Sequence, residues 1–265
     1  MSEGVDHRRV ALLSFFIGIA AGAFGGLLGV GGGVIMVPLL TSVAGLTQHE
    51  AHAASLAGTV VTGLGGALTY AADQAVDFRV ALILASVSVF ATYAVAYHAA
   101  RVPALKLRGV FGGFLILAAV LLIARDELLG LRAPAGSLTT IFLIATGLLV
   151  GVAAGLLGVG GGALMVPLLV IGVGMTQHVA QGTSLAAMIP SGVSGTFAHW
   201  RTGALRRDAV LGLAPGTILG SWTGGQFALG MAASTLQIVF AVALTLLGIN
   251  YILGVRRAQA SRRAG

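Results

Sequence analysis

The chain has 265 residues, of which 57% are hydrophobic and only 9% charged. A water-soluble domain carries roughly a quarter of its residues charged, so this composition excludes an ordinary soluble protein and places the chain in a lipid bilayer. The net charge of +7 could mark a polyanion partner, but the positions of the basic residues explain it through topology and call for no nucleic acid.

The first apolar run, 10–28, follows His7-Arg8-Arg9. It is predicted to be a retained membrane helix rather than a leader peptide, because the same element returns inside the chain at 139–157. The phrase GVGGG occupies 29–33, and a second run, 34–46, starts directly after it. Thirteen residues of helix span about 20 Å, too little to cross a ~30 Å hydrocarbon core. This run is predicted to be the returning arm of a hairpin whose Gly-rich tip lies inside the membrane. Longer runs follow at 51–72, 80–100 and 109–124.

The second half repeats the first. Residues 26–40 read GLLGVGGGVIMVPLL and residues 155–169 read GLLGVGGGALMVPLL, 129 positions on. The same shift places Gly18, Gly22 and Gly26 on Gly147, Gly151 and Gly155, and Thr47-Gln48-His49 on Thr176-Gln177-His178. The corresponding apolar runs are 139–157, 163–175, 179–200, 209–229 and 235–253. The expected fold class is therefore all-α, a polytopic membrane protein of two repeats, 1–132 and 133–265, together forming one transport domain. Each repeat holds five helical segments, or three if the hairpin does not cross. Both counts are odd, so the repeats are expected to be inverted.

Basic residues favour cytoplasmic loops. With a cytoplasmic N-terminus, twelve of the fifteen Lys and Arg residues lie inside: Arg8, Arg9, Arg101, Lys106, Arg108, Arg201, Arg206, Arg207, Arg256, Arg257, Arg262 and Arg263. Only Arg79, Arg125 and Arg132 fall outside. Both termini are expected in the cytoplasm.

A helix start leaves amides unpaired and carries partial positive charge. Inverted repeats bring two such starts together at mid-depth, flanked by Gly31, Gly32 and Gly33 in one half and Gly160, Gly161 and Gly162 in the other. Glycines let a ligand approach the backbone, and neither hairpin contains Asp or Glu. That combination predicts a site for a small anion. A plain structural turn is the alternative for the tips, and close helix packing is the reading for the 18/22/26 and 147/151/155 glycines. On the third segment Ser55, Thr59 and Thr62 share a helix face, with Ser184, Met188 and Ser191 as counterparts. Thr59, Thr62, Ser184 and Ser191 are candidate hydroxyl donors to the anion, against the alternative of bonding to their own helix. Gln48 with His49 and Gln177 with His178 read as helix caps or gate edges, since inversion sets the two pairs on opposite membrane faces. His98 and His199-Trp200-Arg201 read as interfacial anchors.

GVGGGxxMVPLL in both halves, followed by Gly182-Thr183-Ser184-Leu185, resembles the sulfite exporter TauE/SafE family of bacterial membrane permeases. The resemblance covers essentially the whole chain. It implies a permease, and more particularly an exporter, of sulfite, a sulfonate or another small organic anion, located in the bacterial inner membrane. It also brings Thr183 beside Ser184 into the candidate site. The first half departs from this segment with Ala53-Ala54-Ser55, and Gln74 stands opposite Gly203.

An anion channel is the nearest rival, because no carboxylate lies at predicted mid-depth to bind a coupling ion. Proton and sodium both stay open as that ion, and a homodimer is compatible with the sequence. An intramembrane enzyme is disfavoured: the chain has no HExxH and no paired intramembrane Asp. With no cysteine, disulfides, thiolate-bound metals and thiol redox chemistry are absent. No catalytic residue, metal or cofactor is expected.

Overall fold

The computed structural model describes residues 7–98, 104–124, 136–158 and 160–264, and among these every regular element is helical. The charges at 101, 125 and 132 and the boundary between the expected repeats lie outside the described residues. Helix α1 spans His7–Leu28, α2 Gly33–Ser42, α3 Gln48–Ala72, α4 Phe78–His98 and α5 Ala104–Ile123. Then α6 spans Ser137–Leu157, α7 Gly162–Leu168, α8 Gln177–Arg201, α9 Arg207–Leu229 and α10 Ala233–Ala264. Helix α7 runs on into a π-helical turn, Leu169–Val173. The 129-residue shift carries the starts of α2, α3, α4 and α5 onto those of α7, α8, α9 and α10.

Five helices, α1, α3, α4, α6 and the first 24 residues of α10, are long and apolar enough to cross a membrane. Helices α8 and α9 fall short of that mark; α8 carries Gln177, Gln181, Thr183 and Ser184 along its length, all of them buried. Helix α3 lies at the centre and α10 at the edge: 72% of the apolar window is buried in α3 but 22% in α10. Large side chains such as Phe16, Leu82, Phe90, Leu211 and Phe227 point outward. An outward apolar face around an inward polar one is the arrangement a lipid solvent selects.

Small residues set the helix pairing. Helix α1 packs along α9 in parallel: a Cβ on Gly18 would touch Leu213 and Thr217, and one on Gly22 would touch Thr217 and Ser221. The contact is reciprocal, because Gly212, Gly216, Gly220 and Gly224 of α9 lie against Ala11, Phe15, Ile19 and Ala23. Two glycine stripes at four-residue spacing thus face each other, which lets the backbones approach closely. The matching pair, α6 along α4, has only one such stripe: Gly147, Gly151 and Gly155 meet Leu84, Ser88 and Thr92.

Helices paired with their own counterparts run antiparallel. In α3 and α8, Gly66 meets Leu185 and Gly195 meets Leu56. In α5 and α10, Gly112 and Gly248 each meet the other's carbonyl oxygen. The connection at Gln74 takes a left-handed φ of 58°, where its counterpart Gly203 has 76°, so the turn keeps its shape although the glycine is lost.

The stripe packing is directly testable. A Cβ on Gly22 would lie 2.7 Å from the Thr217 carbonyl oxygen, so Gly22→Val should lower stability by about 2–3 kcal/mol and depress the melting temperature in detergent. Gly254→Ala, with nothing within 4 Å, should leave it unchanged or slightly raised.

Candidate functional site

Both hairpins break the same way. Gly29, Gly31 and Gly32 have φ of 71°, 81° and 74°, and Gly158, Gly160 and Gly161 have 65°, 78° and 81°. Glycine alone adopts this left-handed backbone without steric cost. The last left-handed glycine of each break, Gly32 and Gly161, caps its half-helix with no side-chain hydrogen bond.

The two breaks meet each other. Ser184 Oγ donates to the Gly29 carbonyl at 2.9 Å, and its counterpart Ser55 Oγ donates to the Gly158 carbonyl at 2.8 Å. Each third-segment helix therefore ties down the break of the opposite half. Thr59 Oγ1 donates to the carbonyls of Ser55, at 2.9 Å, and Gly31, at 3.3 Å. The Thr59 methyl lies under both breaks: a Cβ on Gly31 or Gly160 would sit 2.9 or 2.6 Å from it. Met188, the counterpart of Thr59, contacts the same two glycines. A Cβ on Gly162 would collide with the Gly29 carbonyl.

This packing changes the role of the glycines. The sequence reading has them leave room for a ligand, but the space beside Gly31, Gly32, Gly160, Gly161 and Gly162 is filled by protein atoms. What stays unpaired is the backbone N–H of the breaks. The amides of Gly31, Gly32, Gly33 and Val34 donate to no acceptor among the described residues, and neither do those of Gly162 and Ala163. They are the orphan donors of a helix start, gathered at the interior.

A cavity of about 270 Å³ leads to this region from one end of the helices. It is lined by Val34, Pro38 and Thr41 of α2, by Gln48 and His52 of α3, and by Asn250 and Tyr251 of α10, with Leu157 also on its wall. Gln48 Nε2 and His52 Nε2 are 3.0 Å apart in a hydrogen bond, and the His52 side chain lies beside Gly158 of the second break. The cavity wall is thus polar where it reaches the breaks.

The remaining candidates have partners elsewhere. Thr62 donates to the Gly58 carbonyl, and Ser191 to those of Ala187 and Met188, so both bond to their own helix. Thr183 accepts from the Asp77 amide at 2.9 Å and braces the α3–α4 connection. Thr47 and Glu50 form a complete capping box at the α3 start, which leaves His49 exposed. Thr176 caps α8 with a single bond from the Val179 amide at 3.4 Å, and His178 contacts the Ala228 carbonyl at 3.1 Å. His199 differs from the interfacial reading: it is 4% exposed, while Trp200 and Arg201 face outward, the latter over the Phe197 ring.

Three residues of the site were passed over in the sequence. His52 and Gln181 are counterparts, and each stands four positions after a Gln (Gln48, Gln177) on the inward face of its helix. The Tyr70 hydroxyl lies 2.8 Å from Gln181 Oε1 and 3.1 Å from the Gly26 carbonyl, and these two acceptors share its one hydrogen. The available signal was a polar pair at helical spacing inside an apolar run.

Residues 14–251 match the family described as sulfite exporter TauE/SafE. The chain belongs to that family. It is similar to a "Probable membrane transporter protein YunE" of Bacillus subtilis (strain 168), 27% identical over 259 residues, covering 89% of this chain and 95% of that one. A "Probable membrane transporter protein" of Haemophilus influenzae is 27% identical over 265 residues, covering 91% and 98%. One of Xylella fastidiosa (strain 9a5c) is 30% identical over 220 residues, covering 79% and 81%. No solved structure matches the chain significantly. This TauE/SafE protein is a multi-pass membrane transporter and not an enzyme.

The reciprocal serine bonds make a paired prediction. Ser55→Ala and Ser184→Ala each leave a break carbonyl without its donor. Each should cost about 1–3 kcal/mol, read as a lowered melting temperature. Because the breaks touch, the double variant should depart from additivity.

Proposed function

We propose that this protein is a secondary transporter that moves a small anion, such as sulfite, a sulfonate or a related organic anion, outward across the bacterial inner membrane. The observation that carries the reading is the meeting of two half-helix starts, whose unpaired amides and dipole ends favour negative charge. The described carboxylates, Glu50, Asp73, Asp77 and Asp208, lie at helix ends and outside the breaks themselves. The two halves, 1–132 and 133–265, act as one transport unit of inverted repeats. The antiparallel packing of α3 on α8 and of α5 on α10 supports that inversion.

Orientation follows from charge. The parallel helices α1 and α9 begin together, where Asp208 bonds His7 at 2.9 Å and also Arg206. With Arg8, Arg9 and Arg207 at the same end, this end is assigned to the cytoplasm, as are both chain termini. The cavity beside Gln48 then opens inward.

The close contact of the two breaks favours a transporter over a channel. Gly29 and Val30 abut Gly162 without intervening space, so passage requires rearrangement. Proton and sodium both stay open as the coupling ion, and a homodimer is compatible with the outward apolar faces.

In proteoliposomes, the protein should accelerate sulfite flux, show trans-stimulation by internal sulfite, and carry no large single-channel current. Gly32→Leu and Gly161→Leu should still reach the membrane but distort the breaks, where protein atoms already fill the space, and reduce that flux to background; unaltered flux in either would remove the breaks from the substrate path. For orientation, a single cysteine at Ala104 should react with an impermeant maleimide only from the cytoplasmic side, and labelling from outside would reverse the assignment.

A further inference from the structure

The vestibule beside Gln48 has a counterpart that is shut. A shift of 129 positions takes Pro38 to Pro167, Gln48 to Gln177, His52 to Gln181 and Tyr251 to Leu122. Pro38 and Gln48 are exposed and Tyr251 partly so, whereas Pro167, Gln177 and Leu122 are buried. The difference lies in the outer helices. Across the open vestibule α10 faces α2 over a gap, but α5, the counterpart of α10, packs directly on α7 and its π-helical turn.

Two amide side chains are closed in near the start of α8. Gln177 and Gln181 stand one turn apart on α8 and are both 0% exposed. Neither polar atom of Gln177 has a hydrogen-bond partner among the described residues, and neither does Gln181 Nε2. Gln181 uses only its Oε1, which accepts from Tyr70, while its Cα, Cβ and Cγ lie against Gly29 at the first break. Buried amides without partners are unfavourable and rare. Leucine would fill the Gln177 space without that cost, and at 181 it would give up only the Tyr70 bond, so the amides ask for a function that packing does not supply.

We propose that Gln177 and Gln181 form a second anion-contact site, serving the opposite membrane face from the Gln48–His52 vestibule. When α5 parts from α7 and the inner vestibule shuts, their Nε2 groups donate to a small oxyanion resting at the breaks. Neutral amides hold an anion by directed hydrogen bonds without a fixed counter-charge, so they bind it and still release it. This inference rests on the reading of the protein as a small-anion transporter.

The test compares wild-type protein with Gln177→Leu and Gln181→Leu in proteoliposomes. Initial uptake of radiolabelled sulfite, sulfate and methanesulfonate is measured, with melting in detergent alongside. Wild type that moves none of the three overturns the anion reading and this site with it. Where wild type moves one, Gln177→Leu should melt no lower than wild type, and both leucine variants should transport that anion at least tenfold more slowly. Variants that melt normally and transport at the wild-type rate overturn the site and leave the anion reading intact. Should a leucine variant not fold, Gln181→Asn, which keeps the amide one methylene short, should raise KM for the same anion severalfold at an unchanged melting temperature. An unchanged KM overturns the site.

Discussion

Hydrocarbon offers no hydrogen bonds, so a helix broken at mid-depth must find protein partners for the groups the break exposes. In this chain that constraint is met crosswise. Ser55 of one half serves Gly158 of the other, and Ser184 serves Gly29 in return. Neither break could be buried alone, because each lacks within its own half the donor that its carbonyl needs. The requirement explains why the phrase occurs twice, and why the helices carrying the serines are the most enclosed of the long helices.

The surrounding helices follow from the same requirement. To press two glycine breaks together, α3 and α8 must cross closely, and the helices outside them must not splay them apart. The interlocking glycines of α1 and α9 draw one flank to backbone contact, while the other flank, α4 on α6, is held by Ser88 and Thr92 against a single stripe. The polar residues of α8 make it a poor membrane span by composition, and its central place removes the need for it to be a good one. The edge helices α5 and α10 carry less of this load, and they differ most between the two halves: one closes over its half-helix, and the other leaves a vestibule.

Much of this was legible beforehand. The apolar runs found all ten helical segments, though each start was placed late, because apolarity marks the lipid-spanning stretch while a helix begins at its polar cap. Thr47 and Glu50 place the α3 start at Gln48 rather than 51, and Arg207 and Asp208 extend α9 in the same way. The repeat shift gave the correspondence of elements directly. Contact partners were not legible. A serine at 184 reads equally well as a donor to a ligand, to its own helix or to a carbonyl 155 residues away, and only the crossing of α3 and α8 decides it. His52, Gln181 and Tyr70 were hidden for a related reason, since a single polar residue in an apolar run does not say which way it faces. The α9 glycines at 212, 216, 220 and 224 stood plainly at four-residue spacing; their significance lies in the facing stripe on α1.

The central claim is that negative charge is held by the unpaired amides where the two half-helices meet. Anomalous diffraction from crystals grown with selenite, a heavier analogue of sulfite, tests it most directly. A selenium peak is expected within hydrogen-bonding reach of the amides of residues 31–34, on the side of Gln48 and His52. A peak confined to the arginine-rich ends of the helices, with none at the breaks, would contradict it.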